Sequence, residues 1–436
     1  MPGGNRFTCR METDEVVAAP APLWQHRDFL LLWSGQSISE LGSGVTQLAL
    51  PLTAVLVLKA STFQVGLLTA ATYAAFALIA LPAGAIVDRI AKRRLLLVCD
   101  AARLIIIGSV PVAAAAGALT LGQLYAVALL AGVCTVFFDV AYQSYLPSLV
   151  PVEQLNDGNG KLGATQAFAQ AAGPGLGGAL VGLIGAARAM SADAASYAVS
   201  VASLLLVRSR ADGPSAHAVA VRDGHLLAGL HTDIAEGLRF VVRHPILRKV
   251  VACTGTSNFW SGAQSAVIPV FLVRVLHLHP ALIGLLYALG AVGGVVAGLF
   301  TGTFARWIGS ARIVWLSTLL LIPFLALTPL AEPGWRVVLV GIGGVGTSFG
   351  VVLYNVAQLS YRQAITPPAL LGRMNAAVRW IVWGTLPLGG LAGGALGTAI
   401  GTRPTLWCTV GGTAAAAVFV VVSPLRTMRD FPAREA

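Results

Sequence analysis

Long apolar runs alternate with short polar segments along nearly the whole chain. Each run is roughly 20 residues long, which is the length that an α-helix needs to cross about 30 Å of hydrocarbon. We therefore predict an all-α integral membrane protein with twelve transmembrane helices. To within several residues, the predicted spans are 30–58, 64–86, 95–116, 121–142, 162–183, 190–207, 250–276, 281–304, 313–330, 337–359, 374–400 and 404–422.

The same pattern divides the chain into five regions. The predicted regions are an N-terminal cytoplasmic tail over 1–28, a six-helix half over 29–207, a cytoplasmic linker over 208–249, a second six-helix half over 250–422 and a cytoplasmic tail over 423–436. In the linker, apolar positions recur at helical spacing from His225 to His244, which predicts an amphipathic helix along the membrane surface. Residues 210–224 fit an irregular linker better.

Composition and charge add an orientation. Charged residues make up 11% of the chain and apolar residues 56%, whereas a soluble domain carries about a quarter charged residues. Most of the 29 Lys and Arg residues fall on the side of the predicted spans that holds both termini, so the positive-inside rule places the termini in the cytoplasm. The net charge of +11 then faces anionic lipid headgroups, and we predict no nucleic-acid partner. The predicted opposite side holds only Lys59, Arg188, Arg274, Arg336 and Arg403.

The second half of the chain repeats the first. At an offset of 218, Ser39 falls on Ser257 and Pro51 on Pro269. At an offset of 216, the later helices match, for example Asn159 with Asn375. Two six-helix repeats in the same orientation imply an axis along the membrane normal, and rocking of the halves about a central site gives alternating access.

One polar loop carries a recognisable motif. The segment from Gly84 to Arg94, GAIVDRIAKRR, lies between predicted helices 2 and 3. It resembles the G-x-x-x-D-R-x-G-R-R loop of the major facilitator superfamily, with Ala91 in the place of the second glycine. The matching segment from Gly302 to Arg312 is a degenerate copy, in which an arginine replaces the aspartate.

Further segments extend the resemblance over most of the chain. They are Leu146 to Asn156, Gly173 to Gly178, Glu236 to Phe240 and Leu371 to Asn375. These segments resemble the branch that contains enterobactin-type siderophore exporters and macrolide efflux pumps. The resemblance implies the major facilitator fold, with two six-helix repeats in parallel orientation, and proton-driven export of a small molecule.

The loop motif suggests a conformational latch. Asp88 lies at a helix end beside several cations, so it can accept charge-assisted hydrogen bonds that form in one transport state and break in the other. The alternative is that these cations only set the topology. The predicted latch residues are Gly84, Asp88, Arg89, Lys92, Arg93 and Arg94.

Glycine spacing predicts where the two halves meet. Gly290, Gly294, Gly298 and Gly302 form one ridge along predicted helix 8, and small residues four apart let helices approach closely in lipid. The resemblance implies that helices 2, 5, 8 and 11 line the contact between halves. We therefore expect this ridge to face the other half, although membrane helices are also generally rich in glycine.

Polar residues inside the predicted spans are candidates for the transport site, because such groups face protein or a water-filled cavity. Glu40 corresponds to Asn258 and Asp139 to Asn355, so only the first half is ionisable at these matched positions. We predict that Glu40 and Asp139 serve proton coupling, and depth along the helix favours Glu40; each could instead be structural. The predicted substrate cavity comprises Gln36, Gln47, Asn258, Trp260, Gln264, Asn355 and Gln358.

The sequence favours a transporter over an enzyme. The segment from Gly341 to Gly350 matches two soluble-enzyme motifs, but it lies inside one apolar span that has no room for the strand and turn those motifs need. The five cysteines are far apart, so no disulfide framework or metal site is predicted. We predict no cofactor and no catalytic residue, with energy drawn from an ion gradient.

We therefore predict a proton-coupled exporter of a small amphipathic molecule, such as a drug, siderophore or secondary metabolite. We expect a monomer in a bacterial cytoplasmic membrane, with protons, the lipid bilayer and the substrate as its partners. Two alternatives stay open, which are uptake or facilitated diffusion on the same fold and a membrane-embedded sensor or lipid-handling protein.

Overall fold

A computed structural model describes residues 23–87, 90–151, 154–208, 236–367 and 370–431. Within these segments the chain forms twelve long α-helices. They are α1 Arg27–Leu52, α2 Thr62–Val87, α3 Lys92–Ala115, α4 Leu121–Tyr145, α5 Leu155–Ile184, α6 Ala186–Leu206, α7 Leu247–Val270, α8 Pro280–Ile308, α9 Ser310–Leu330, α10 Val338–Ile365, α11 Leu371–Ala399 and α12 Thr402–Val421.

The helices confirm the predicted all-α membrane fold. Ten of those described are long and apolar enough to cross a membrane. The other two, α7 and α11, are not among these ten, and they carry polar residues such as Asn258 and Arg379 among their apolar ones. Large apolar side chains, including Leu78, Ile105 and Leu183, are exposed on the bundle, as expected for a surface that faces lipid.

The backbone repeats in detail between the two halves. A π-helical turn extends α1 over Thr53–Val57 and another extends α7 over Phe271–Val275, positions that differ by the 218 residues of the sequence repeat. Each turn is followed by a residue with positive φ, which is Lys59 at 54° and His277 at 54°. The predicted two-fold repeat is therefore present at the level of single backbone angles.

Successive helices run in opposite directions, so the bundle has two ends. We call the end that carries Leu23 and Phe431 the terminal side and the opposite end the far side. On the terminal side, contacts within each half tie helix ends together. Arg93 donates hydrogen bonds to the carbonyl oxygens of Leu204 and Leu205, both at 3.1 Å, and Lys249 donates one to that of Val422 at 2.9 Å.

On the far side the two halves pack closely. A Cβ added at Gly178 of α5 would lie 2.4 Å from Cα of Gly284 in α8, and one added at Gly66 of α2 would lie 2.7 Å from Cα of Gly394 in α11. Such backbone contacts require glycine on both helices. The guanidinium of Arg274 also donates a hydrogen bond to the carbonyl oxygen of Ala60 at 2.6 Å, and residues of both halves share one hydrophobic core here.

On the terminal side the corresponding helix ends are apart. Added Cβ atoms at Gly84 of α2, Gly163 of α5 and Gly302 of α8 would each meet no atom within 4 Å among the described residues. The bundle is therefore closed on the far side. Towards the terminal side, the last hydrogen bond described between the halves runs from the Trp380 indole N–H of α11 to the Ala77 carbonyl oxygen of α2 at 2.9 Å, and beyond it these helix ends are open.

The predicted role of the α8 glycine ridge is wrong. Gly290 packs against Gly344 of α10 and Gly294 against Val352 of the same helix, so both face their own half. Gly298 meets no atom within 4 Å in the part of the chain described. The contact with the first half is made by Gly284, one turn and a half earlier on α8, because it opposes Gly178 on the far side, where the halves touch.

The end of the predicted amphipathic helix is helical. Residues 236–243 form a helix in which Val241 is buried, and Glu236 pairs with Arg373 at the start of α11. Residues 225–235 of that prediction lie outside the described residues.

Candidate functional site

A buried ion pair lies at the centre of the first half. Asp100 and Arg103, three residues apart on α3, form a salt bridge with both side chains almost fully buried. Asp100 also accepts a hydrogen bond from the Ser200 hydroxyl of α6 at 2.6 Å. The Arg103 guanidinium lies 4.3 Å from the ring centroid of Phe138 on α4 and 4.5 Å from that of Tyr197 on α6. One arginine thus joins α3, α4 and α6 around a charge-neutral pair.

The two predicted coupling carboxyls lie near this arginine. Glu40 is the fourteenth residue of α1, half-buried, and accepts a hydrogen bond from the Gln36 amide at 2.9 Å. Asp139 is half-buried near the terminal-side end of α4. Both interact electrostatically with Arg103. Glu40 and Asp139 therefore share the electrostatic influence of Arg103, and Glu40 is the deeper of the two acids along its helix.

A third acid in this region was missed from the sequence. Asp193 of α6 is fully buried and lies beside Thr46 of α1. It lies beside Ser196, where α6 packs onto Gly42 of α1. The predicted span began only at residue 190, which made Asp193 resemble a loop-edge residue. The available signal was the spacing of Ser196, Ser200 and Ser203, which marks the α6 face that packs on α1.

The second half has a small cavity, lined mainly by residues that carry a hydroxyl or an amide. It has a volume of about 130 Å³ and lies among α7, α9, α10 and α12. Three predicted substrate residues, Asn258, Gln264 and Asn355, line it. No residue in its lining carries a charge, and most carry a hydroxyl or an amide. The polar residues added to the predicted set by the structure are Thr254, Ser257, Ser261, Thr318, Thr347, Tyr354 and Thr413.

The other predicted substrate residues lie elsewhere. Trp260 packs its ring against Gly412 of α12, so it fills the space between two helices and is not part of the cavity lining. Gln358 is buried and Gln47 is exposed, and neither lines the cavity. Gln36 lies in the first half, where its amide donates a hydrogen bond to Glu40. The structure thus brings together three members of the predicted set, all of them in the second half.

The predicted latch is described in part. Asp88 and Arg89 lie outside the described residues. An added Cβ at Gly84 would meet no described atom within 4 Å, Lys92 begins α3 and Arg94 is exposed. Arg93 holds the end of α6 through its two hydrogen bonds to carbonyl oxygens. Among the four latch residues that the structure describes, Arg93 is therefore the one that hydrogen-bonds to another helix.

Comparison with known proteins places this arrangement in a family. The family model described as Major Facilitator Superfamily matches residues 32–386. Among solved structures, a bacterial homologue of the iron transporter ferroportin in an inward-facing state superimposes with a TM-score of 0.72 at 17% identity, over 91% of this chain and 98% of that one. A bacterial homologue of the human lysosomal transporter Spinster, inward-facing and unoccupied, gives a TM-score of 0.69 at 17% identity, over 92% of this chain and 98% of that one.

Sequence relatives agree with this placement. The chain is 25% identical to the multidrug efflux pump Tap of Mycolicibacterium fortuitum, over 84% of this chain and 88% of that protein. It is 28% identical to Tap of Mycobacterium tuberculosis strain H37Rv, over 86% and 88%. An uncharacterised transporter from Sinorhizobium fredii is 28% identical over 58% of this chain and 60% of its own length. The chain is a multi-pass membrane transporter that belongs to the Major Facilitator Superfamily.

Proposed function

We propose that this protein is a secondary exporter, which moves a small amphipathic molecule out of a bacterial cytoplasm in exchange for protons. The observation that carries this proposal is the position of Glu40. It is a half-exposed carboxyl near the middle of α1 in a bundle that is open on the terminal side. A carboxyl so placed can bind a proton or attract a cationic group, and these two events compete. The efflux pumps among the relatives support the direction.

The open terminal side fits the first step of export. If the positive-inside rule holds, both termini lie in the cytoplasm, and the described conformation then admits substrate from that side. The backbone contacts of Gly178 with Gly284 and of Gly66 with Gly394 hold the far side shut. Rocking of the halves about the central site would break these contacts and bring the terminal-side ends together, as alternating access requires.

The coupling role of Glu40 is tested with Glu40→Gln. We expect the variant to bind substrate while its flux no longer responds to a pH gradient, because glutamine keeps the shape of glutamate and cannot release a proton. Accumulation of ethidium in everted vesicles, with and without an inside-acid gradient, measures this response. Glu332→Gln is the matched control, since Glu332 is exposed in the loop that follows α9 and pairs only with Arg336 among the described residues.

The same assay separates the alternatives. If Glu40→Gln keeps full gradient-driven export while Asp139→Asn abolishes it, then Asp139 is the coupling residue. If the wild-type protein fails to accumulate any cation in everted vesicles but does so in right-side-out vesicles, the protein is an importer. Absence of saturable flux in either orientation would contradict transport coupled to protons.

We further propose that Asp88 acts as a latch when the terminal side closes. Gly84, Lys92 and Arg94 stand around it in sequence at the ends of α2 and α3, which are apart from the second half in the described state. We expect Asp88→Asn to insert and fold normally, with turnover reduced roughly tenfold through the loss of one charge-assisted hydrogen bond. Asp157→Asn is the control, because Asp157 is exposed on the same side and pairs with Lys161. Wild-type turnover in Asp88→Asn would leave the cations with a topological role only.

A further inference from the structure

The cavity in the second half occupies the place of a side chain in the first half. At the repeat offset of 218, Leu321 corresponds to Arg103 and Thr318 to Asp100. At the offset of 216, Tyr354 corresponds to Phe138 and Thr413 to Tyr197. In the first half the Arg103 guanidinium lies against Phe138 and Tyr197. In the second half Leu321 and Thr413 are smaller than their counterparts, and both line the cavity.

The ionic partners of that arginine are also replaced. Thr318 stands for Asp100, and Asn355 stands for Asp139. The cavity therefore corresponds in position to the Arg103 guanidinium of the first half, but no carboxylate lines it that could balance a positive charge. Moving an unpaired charge into a low-dielectric site is costly, so an occupant of this cavity is expected to be uncharged.

Several polar groups of the cavity are already used. The Thr254 and Tyr354 hydroxyls lie 2.7 Å apart in a mutual hydrogen bond, and the Asn258 amide donates to the carbonyl oxygen of Val382 at 3.0 Å. Thr318 and Thr413 donate to carbonyl oxygens of their own helices. These bonds fix the walls of the cavity.

Four other polar side chains of the lining have no hydrogen-bond partner among the described residues. Ser261 and Gln264 on α7 and Thr347 and Asn355 on α10 make no side-chain hydrogen bond to the described residues. Asn355 and Ser261 are also exposed, which places them at the open part of the cavity. Amides and hydroxyls that converge without internal partners can each donate to and accept from a ligand.

We propose that this cavity is a subsite for an uncharged, hydroxyl- or amide-bearing group of the transported molecule. Its volume of about 130 Å³ is close to the roughly 150 Å³ of a cavity that takes a benzene-sized molecule, so one sugar-like ring or short polyol segment fits. The proposal rests on the proposed export function, in which Glu40 would attract the cationic part of the same substrate. The substrate would then be a cation with a separate polyol or amide end.

A matched pair of probes tests the subsite. One is an N-arylalkyl-N,N-dimethylamine, and the other carries the same aryl group on N-methylglucamine, which adds a polyol chain without adding charge. Their dissociation constants are measured on the purified full-length protein in detergent. We expect the wild-type protein to bind the glucamine about tenfold more tightly, the size expected of one or two hydrogen bonds.

The double variant removes one polar group from each of two cavity-lining helices, and its control lies on α7, beside one of them. Ser261→Ala combined with Asn355→Val should remove the preference and bring the two dissociation constants together. Ser265→Ala, one turn further along α7, should keep the preference, since the Ser265 hydroxyl donates to the carbonyl oxygen of Ser261 and does not line the cavity. Thermal unfolding confirms that both variants fold.

The outcomes distinguish this proposal from the export function. Equal binding of the two probes by the wild-type protein, or a preference that survives in the double variant, would mean that the cavity holds water alone and would overturn the subsite. Because binding is measured on purified protein, this result does not depend on flux. Failure of gradient-driven ethidium accumulation in vesicles would contradict the export proposal separately.

Discussion

In the first half, α3 and α6 bury Asp100, Arg103 and Asp193, whereas the matching helices α9 and α12 bury only neutral groups such as Thr318 and Thr409. At the offset of 216, Thr409 is the counterpart of Asp193. The backbone is the same in the two halves, down to the π-helical turns at the ends of α1 and α7. The fold thus tolerates either a charged or a neutral interior. Since the backbone does not require the charges of the first half, we attribute them to the function of that half.

The helix contacts inside each half show how a charged interior can be replaced by a neutral one on the same backbone. In the first half, Ser196 of α6 packs on Gly42 of α1. In the second half the sizes are reversed, because Gly412 of α12 receives the ring of Trp260 from α7. When the large and the small residue change places at one contact, the distance between the two helices is kept, and each helix presents different side chains. A single architecture can therefore carry a charged half that binds protons or cations and a neutral half that binds uncharged groups.

The largest effect is expected from removing the charge of Arg103. Arg103→Leu leaves Asp100 buried beside no cation, which should destabilise the protein by about 3–5 kcal/mol. At the two matching positions the second half carries Leu321 and Thr318, which are neutral. We therefore expect the double variant Arg103→Leu, Asp100→Thr to regain at least half of the lost stability. Thermal unfolding in detergent measures both variants.

This experiment tests the equivalence of the two halves. Asp100→Thr alone serves as the control, since it strands the buried arginine instead of the aspartate. If the double variant is as unstable as Arg103→Leu alone, the two interiors are not interchangeable, and the ion pair holds α3, α4 and α6 together in a way that packing cannot replace.

A medium effect is expected where the halves are alike, at their far-side contact. Gly178 and Gly394 are equivalent at the offset of 216, and each opposes a glycine of the other half. Gly178→Val and Gly394→Val should each force the far side open at a cost of about 1–3 kcal/mol. The population should then shift about ten- to a hundredfold towards the state with the terminal side closed.

Labelling of a reporter cysteine measures this shift. A cysteine at Gly302, which faces open space on the terminal side, should react more slowly with a membrane-impermeant maleimide in both variants, in a background without native cysteines. Gly294→Val is the control, because Gly294 faces Val352 within its own half; it should lower stability without changing the labelling rate. Unequal shifts for the two valine variants would show that the interface is less symmetric than the backbone.

Much of this organisation could be predicted from the sequence, because membrane helices must satisfy their backbone hydrogen bonds internally and cover their surface with apolar side chains. The spans follow from that requirement, whereas the repeat follows from residues that match at a constant offset, and the helices and the paired π-helical turns of the structure agree with both. The direction in which a glycine points does not follow from it. The ridge of Gly290 and Gly294 had the right spacing, but only the rotation of α8 decides that it faces α10.

The candidate site was predictable to the same limited extent. Asn258, Gln264 and Asn355 could be found because polar groups inside spans need a polar neighbour or a cavity. The cavity itself could not, since it arises from Leu321 and Thr413, two ordinary residues that are smaller than Arg103 and Tyr197 at the matching positions. Asp193 was missed because its helix begins at Ala186, four residues before the predicted span.

The smallest effect is expected at the terminal-side ends of α3 and α9. These two helix ends are held by different contacts in the two halves. In the first half, Arg93 of α3 holds the end of α6. In the second half, the segment after α12 returns to the start of α9. There the Asp430 carboxylate accepts a hydrogen bond from the Ser310 N–H at 2.9 Å. The Ala311 N–H also donates to the carbonyl oxygen of Arg429 at 3.1 Å.

Asp430 thus accepts a hydrogen bond from the first turn of α9, as an N-cap residue does. Asp430→Ala should therefore lower the free energy of unfolding by about 1 kcal/mol, the usual effect of losing an N-cap. Hydrogen–deuterium exchange should rise at the first amides of α9 and stay unchanged at the first amides of α3, while Arg93→Ala should disturb the α3–α6 junction and leave α9 as it is. Asp430→Asn keeps an acceptor oxygen and should give an intermediate rise. Unchanged exchange at Ser310 and Ala311 in Asp430→Ala would mean that the backbone contact of Arg429 alone secures α9, and the two halves would then differ in their interiors but not in how their helix ends are held.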